Sequence, residues 1–223
     1  MSADIEYMEI HTPEEVIKRV LSDMDDILNI KSSDIPNIDL YMDQVLGFLD
    51  EKLKNTQRSS VDEDEKILTK TMINNYAKND LLPPPVKKKY SKEHMMVLIY
   101  IYYFKNFLSI NDIQTMLKPV EDKYFQSEKG LSVEDLYDEI LRIGEERIPL
   151  LKEDLLDKYE ASQKTFEDVE GEDGDYLRLF AYICLLSYDV FVKKVMIEQF
   201  VEEIKKKEIL NGQAEKKKGD KKK

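Results

Sequence analysis

Residues 68–117 read LTKTMINNYAKNDLLPPPVKKKYSKEHMMVLIYIYYFKNFLSINDIQTML, and the order of pieces inside this stretch decides the fold. From Thr69 to Lys78 the pattern is a short two-faced helix. Lys70, Thr71, Asn74, Asn75 and Lys78 make a polar face, and Ile73, Tyr76 and Ala77 make the other. Asn79-Asp80 stops it, because both residue types tolerate the left-handed conformation that ends helices. Pro83-Pro84-Pro85 cannot continue a helix, so Lys87-Lys88-Lys89-Tyr90 is expected as a short extended or hairpin piece. Ser91-Lys92-Glu93-His94 resembles a capping box only loosely, since His stands at the reciprocal acid position. The next helix, about residues 92–106, is apolar nearly all round, as suits a central helix covered on most sides. Ser109 then caps a short helix whose Ile110, Ile113, Met116 and Leu117 face inward and which Pro119 stops.

Working outward toward the N-terminus, Thr12-Pro13-Glu14-Glu15 is a helix start: a cap, a proline at the first helical position, then acids. Val16, Val20, Met24 and Ile27 supply one apolar stripe, so residues 1–34 are expected to form an acidic helical extension, broken at Ser32 to Pro36. Asp39 is expected to cap a helix through about Lys54 that carries Leu40, Met42, Val45, Leu46, Leu49 and Leu53 on one face. Residues 55–65 are polar and loop-like.

Toward the C-terminus, Ser132 caps a helix to about Arg147, and Pro149 starts another that runs to about Lys164. Residues 167–175 read as an acidic loop, and a long helix comes next, from about Asp175 to Leu210. The Lys-rich segment 211–223 is expected to be a disordered tail. In the long helix, Ile183, Val190, Ile197 and Ile204 sit seven residues apart, with Leu186 and Phe200 three residues after two of them. That spacing makes a seam for a partner helix, or a stripe that packs within its own domain, the reading that Lys193 in the same seam favours.

The chain's 223 residues suffice for one or two domains with a real core. Seven Gly and seven Pro are too few for an all-β design of many tight turns. A net charge of -12 would normally argue against nucleic acid, but the sum hides an asymmetry. Residues 66–120 hold nine Lys against three acids, between flanks of net -11 (residues 1–65) and net -7 (residues 121–223). With a Debye length of about 8 Å at physiological salt, such a basic island acts on phosphates largely on its own.

Other chemistries find little support. A single cysteine, Cys184, excludes an intramolecular disulfide framework and a multi-cysteine zinc site; it sits in an apolar stretch and is expected to be buried and inert. The two histidines, His11 and His94, lie near no nucleophile motif, and His94 is expected as a partly exposed structural residue. The acidic run from Glu167 to Asp175 fails the calcium-loop pattern: with Asp168 as position one, Asp173 takes the glycine position and Leu179 the terminal glutamate position. No catalytic residue, metal or cofactor is therefore expected. The apolar run from Met95 to Phe104 is too short to span a bilayer, and Met1 to Glu6 has neither a basic start nor an apolar run. The expected location is the cytoplasm, with no membrane partner.

The ordered series in residues 68–117 resembles the MerR family of winged-helix transcription regulators, and more closely an uncharacterised bacterial domain of unknown function related to that fold. The similarity covers about Ile35 to Leu117. In the MerR family the short helix before Leu-Leu-Pro-Pro enters the major groove with a Thr-Ile-Arg-Tyr-Tyr core. Anchored on Leu81-Leu82, the matching positions here are Met72, Ile73, Asn74, Asn75 and Tyr76, and Asp80 stands where the family has Gly. Lys87 to Tyr90 occupy the last four places of the wing, with Lys88 at the family's Arg. The resemblance implies that this helix and wing touch DNA and that the protein dimerises.

The expectation is thus a mainly α protein: a MerR-like winged helix-turn-helix over residues 35–120, then a helical dimerisation or effector region, 121–210, ending in a long helix. Its function would be that of a DNA-binding transcriptional regulator, dimeric on double-stranded DNA, with an unidentified effector. The DNA-contacting residues would be Lys70, Thr71, Asn74, Asn75, Tyr76, Lys78, Lys87, Lys88, Lys89 and Tyr90, and the dimer seam Ile183, Leu186, Val190, Ile197, Phe200 and Ile204. Asparagine can pair with adenine edges, and lysines on phosphates position a protein without reading sequence. The acidic flanks motivate an alternative: a protein-interaction module that keeps the fold and has lost DNA binding. An enzyme is a third option that no motif supports.

Overall fold

A computed structural model describes the backbone of residues 11–27, 30–54, 67–127 and 129–220. Among them are seven α-helices: α1 (Pro13–Ile27), α2 (Met42–Leu53), α3 (Lys70–Lys78), α4 (Lys92–Phe104), α5 (Ile110–Tyr124), α6 (Val133–Gln163) and α7 (Gly171–Asp220). Two two-residue strands, β1 (Leu40–Tyr41) and β2 (Lys89–Tyr90), pair antiparallel with Leu40 opposite Tyr90. The chain divides into two compact units, one of residues 1–29 and 143–187, the other of residues 30–142 and 188–223. Helices α6 and α7 each contribute to both. Residues 1–10 and the polar loop expected at 55–65 lie outside the described residues.

The second unit is built around α4. Its side chains from His94 to Ile99, together with Ile101 and Tyr102, are buried, as a helix apolar on all sides requires. Around it pack Val45, Leu49 and Leu53 of α2, Ile73 and Tyr76 of α3, Ile113 and Leu117 of α5, and Val133 and Tyr137 of α6. Each such side chain contributes roughly 1.5–3 kcal/mol by leaving water, so this packing, not the two-residue strands, holds the unit together. The Tyr137 hydroxyl donates to the Ile30 carbonyl at 2.6 Å and ties the start of the unit to α6. Within the same unit, α7 returns to the core through Ile197 and buried Val201, and Lys205 pairs with Asp112 at 2.7 Å.

The first unit comprises α1, α6 from residue 143 and α7 to residue 187. The Tyr159 hydroxyl donates to the Glu14 carboxylate, its ring meets Tyr182 edge-on at 5.3 Å, and the Tyr182 hydroxyl donates to the Leu155 carbonyl at 3.2 Å. A side chain at Gly174 would strike the Val169 carbonyl oxygen at 2.1 Å, so this position takes glycine for want of space. Thr12 caps α1 as expected, with Glu15 accepting in return from the Thr12 N–H, and Met24 is buried, but Val16 and Val20 are exposed.

Several boundaries differ from the sequence reading. Helix α5 passes through Pro119 to Tyr124, and α6 is one helix through Pro149 rather than two. A proline removes one i→i−4 hydrogen bond and crowds the preceding turn, but packing on both sides of it overrides that penalty. For α5 the packing is Ile113 and Leu117 before and the partly buried Val120 and Tyr124 after. Helix α2 begins at Met42, not after Asp39, because Gln44 accepts from the Tyr41 N–H at 2.9 Å while Leu40 and Tyr41 are held in the strand pair. Helix α7 starts at Gly171, inside the expected acidic loop, and continues to Asp220, through most of the segment expected to be disordered; residues 221–223 lie outside the described residues. Cys184 is half-buried rather than buried. His94 is 1% exposed rather than partly exposed.

Candidate nucleic-acid interface

Helix α3 is fixed at both ends by its own sequence. Thr69 caps it by accepting from the Met72 N–H at 3.2 Å. At the other end Leu81 and Leu82 donate their N–H groups to the Tyr76 carbonyl at 2.9 and 3.3 Å, with Asp80 in the left-handed region at φ +53°. Gln114 of α5 donates to the Asn79 carbonyl at 3.0 Å. With Ile73 and Tyr76 buried below, Lys70, Thr71, Asn74, Asn75 and Lys78 are left exposed.

The lysine piece is a two-residue hairpin. Val86 and Lys89 exchange both backbone hydrogen bonds, at 3.0 and 3.1 Å, and Lys87 and Lys88 between them have φ of +50° and +64°. Two positive φ values in a two-residue loop give the mirror-image turn that ordinarily takes Asn-Gly. Here both places hold lysine, each at a cost in backbone strain, and both side chains are exposed.

The hairpin is anchored from below by His94. Its Nδ1 accepts from the Ser91 N–H at 3.0 Å and lies 2.8 Å from the Ser91 hydroxyl, so His performs the capping role that the sequence usually gives to Glu. Its ring meets Tyr90 and Phe125 edge-on at 5.6 and 4.8 Å. Burial holds the imidazole below its ordinary pKa, against the opposing pull of the Pro84 and Pro83 carbonyls and Asp39. His94 thus acts as a neutral strut between the hairpin and α4.

Helix and hairpin meet over a groove of about 460 Å³. Lys70 and Asn74 line it from α3, Pro85 and Lys88 from the hairpin, Tyr41, Met42 and Asp43 from the head of α2, and Tyr90 from its floor. Lys89 is half-buried, with its ammonium 5.1 Å from the centre of the Tyr41 ring. Among the described residues Lys70, Lys78, Lys87 and Lys88 form no ion pair, whereas most of the ion pairs elsewhere in the chain join neighbours along one helix. Asp43 is the one carboxylate in the groove lining.

The structure therefore brings Lys70, Asn74 and Lys88 to one groove and leaves Thr71, Asn75, Lys78 and Lys87 exposed outside its lining. Tyr76 and Tyr90, also expected at the interface, are 6% and 2% exposed and are part of the core, Tyr90 touching the groove only from beneath. Of the expected seam, Ile183, Val190 and Phe200 are exposed, Leu186 and Ile204 half-buried, and Ile197 packs on its own unit. The outward stripe within the second unit is instead Tyr188, Phe191, Val192, Val195 and Met196, at i, i+3, i+4, i+7 and i+8.

A buried acid also escaped the sequence reading. Glu121 is 8% exposed, and its Oε1 has no hydrogen-bond partner among the described residues. The signal was present: 113, 117 and 121 are four apart, so an acid continues the buried stripe of α5 once the helix is carried past Pro119. Among the described residues no cluster of three or more His, Cys, Asp or Glu is placed to hold a metal, and no helix is long and apolar enough to cross a membrane.

A family model described as a domain of unknown function, DUF1836, matches residues 30–140. The match covers nearly all of the first stretch of the second unit, residues 30–142. Both run beyond the 35–120 expected from sequence, because α5 continues past Pro119 and Tyr137 closes back on Ile30. No curated protein and no solved structure matches the chain.

Proposed function

We propose that the DUF1836 domain is a winged helix-turn-helix that binds double-stranded DNA, and that the protein is a transcriptional regulator. The observation that carries this reading is the groove shared by α3 and the hairpin, lined by Lys70, Asn74 and Lys88, in which neither lysine forms an ion pair among the described residues and Asp43 is the one carboxylate. In this reading α3 enters the major groove, where Asn74 and Asn75 read base edges. Lys87 and Lys88 each contact a phosphate from the strained hairpin tip, and Lys70 and Lys78 add backbone contacts. Asp80 in the left-handed region, at the place where MerR-type regulators have Gly, supports the same alignment. No catalytic step is assigned.

A regulator of this kind places two recognition helices on two half-sites, which requires a second copy of the chain. The apolar stripe from Tyr188 to Met196 is the surface proposed for that contact, since neighbouring exposed apolar side chains along one helix face suit an interaction site. The deciding experiment is fluorescence anisotropy on labelled duplexes, including fragments of the protein's own promoter, across a salt series. Binding should weaken by about 0.9 log units per phosphate contact for each log unit of salt. Replacing Lys87, Lys88 and Lys89 by Ala should weaken all sequences alike, and replacing Asn74 or Asn75 should relax sequence preference. Absence of binding to any fragment at low salt refutes the proposal.

The competing reading is a protein-interaction module, favoured by Asp43 in the groove and by the net charge of -12. One stoichiometric protein partner that competes for the groove, with no DNA retained, would select it.

A further inference from the structure

On the far end of α4 from the hairpin lies a second cavity, of about 220 Å³. Val97, Tyr100 and Phe104 line it from α4, Met116 and Val120 from α5, and Leu136 from α6. The one charged residue in the lining is Glu121, whose Oε1 is buried without a hydrogen-bond partner among the described residues. We propose that this cavity is a binding site for a small lipophilic amine, whose ammonium group pairs with Glu121 while its apolar body fills the space between α4, α5 and α6. Neither the site nor its test depends on DNA binding.

Three features of the cavity define the ligand. The first is the unmet acceptor. A carboxyl removed from water and left without a hydrogen bond is costly, and the cation that acts on it forms no ion pair with it: Lys118 is engaged with Asp122 at 2.8 Å. Burial pushes the Glu121 carboxyl up to about 7; Lys118 opposes the rise, and Asp122 and Asp80 add to it. Tyr100, the titratable group that faces the cavity from α4, is held neutral with its pKa pushed up to about 12 by burial, and α6 presents only apolar residues. At neutral pH the acid is poised between charge states, and a cation would draw it to the carboxylate.

The second feature is the aromatic wall. The Tyr100 and Phe104 rings lie nearly parallel, 10° apart with centroids at 5.9 Å, and offer a face to a ring or an ammonium group. The third is size. An apolar cavity of about 150 Å³ accepts benzene, so this one suits a single ring with a short amino-terminated arm.

The test uses the full chain and three probes, phenethylamine, benzylamine and cyclohexylamine, in isothermal titration calorimetry. Ethylbenzene, the uncharged analogue of the first, is followed by ligand-detected NMR. At least one amine should bind saturably at one site per chain, more tightly at about pH 8 than at about pH 6, as Glu121 ionises. Glu121→Gln should weaken that amine at least about tenfold and leave any ethylbenzene binding unchanged. Leu136→Phe, which fills the cavity from α6, should abolish amine binding while the melting transition persists. No saturable binding by any of the three amines overturns the proposal. So does equal affinity in a folded Glu121→Gln protein, or ethylbenzene binding as tightly as phenethylamine at about pH 8.

Discussion

If the hairpin tip is shaped for phosphate, relieving its strain should stabilise the protein and weaken its hold on DNA. The perturbation is Lys87→Asn with Lys88→Gly, the pair that the mirror-image turn ordinarily takes. Lys87 and Lys88 sit at φ +50° and +64°, where an ordinary L-residue costs roughly 1–2 kcal/mol against one that tolerates the left-handed region. Glycine at the second place returns about 0.5–1 kcal/mol of that through the freedom it gains when unfolded. The net gain for the pair is about 1–3.5 kcal/mol, which for a chain of this size raises the melting temperature by about 2–14 °C. Both lysines are exposed and unpaired among the described residues, so their removal forfeits no native ion pair. On DNA the same change should delete two phosphate contacts, and the slope of log affinity against log salt should flatten by about 1.8. Calorimetric melting and anisotropy titrations at several salt concentrations measure the two effects separately. A variant that melts lower refutes the claim of strain in the turn. A variant that melts higher and binds every duplex with unchanged affinity and salt slope refutes the phosphate assignment.

The same geometry sets four further outcomes. Glu121→Gln should be increasingly more stable than the wild type as pH rises from about 4.5 toward 8. A carboxyl whose folded pKa is raised to about 7 favours the folded state below 4.5 and loses that contribution through the folded value. The full shift corresponds to roughly 3 kcal/mol, which residual solvent screening reduces to about 1–3, and urea titrations across pH measure it. His94 runs the other way. Its folded pKa is depressed, so its contribution is complete above the ordinary value of 6.5 and fades as pH falls below it; the stability gap between wild type and His94→Gln should narrow on acidification, and a widening gap contradicts the buried neutral strut. Asp43→Asn should tighten duplex binding by about threefold to tenfold by removing the groove's own carboxylate, whereas a weaker complex would favour the protein-interaction reading. Phe191→Asp with Met196→Asp should convert a dimer to a monomer in sedimentation equilibrium, and a wild type that is monomeric at every concentration removes the need for the stripe.

How far the sequence could be read depended on whether local chemistry or tertiary packing decided each feature. Helix α3 was legible because its polar face and its stop are encoded within a short local stretch, and the structure places both where the pattern put them; Thr69, read as the first helical residue, is instead the cap. Helix α4 was legible because a run apolar on every side has few alternatives to being buried. The groove was legible only in part. Lys70, Asn74 and Lys88 come together, but aromatic residue type could not distinguish an interface tyrosine from a core one, and Tyr76 and Tyr90 proved to be core. Likewise the seven-residue recurrence of Ile183, Val190, Ile197 and Ile204 matched a period, and a period does not say which side of a helix its own domain covers. Ile197 and Val201 turn that side inward and leave the stripe from Tyr188 to Met196 facing out.

The two prolines show the same contest, with a consequence for the buried acid. Read locally, Pro119 ends a helix, because it lacks the N–H and crowds the turn before it. Read with the core in view, Ile113 and Leu117 already commit that face to α4, and extending the helix costs less than unwinding the residues beyond the proline. Once α5 runs on to Tyr124, position 121 falls on the buried face without choice. An acid there lacks a local rationale: it caps nothing, and its Oε1 has no hydrogen-bond partner among the described residues. A core that tolerates such a residue beside a 220 Å³ cavity, where a leucine would remove the desolvation penalty, retains an acceptor that the fold itself leaves unsatisfied. Substitution to leucine is therefore the sharper form of the question. It should raise stability at about pH 8 and remove any amine response together, because the group that destabilises the empty protein is the one that the ligand would satisfy.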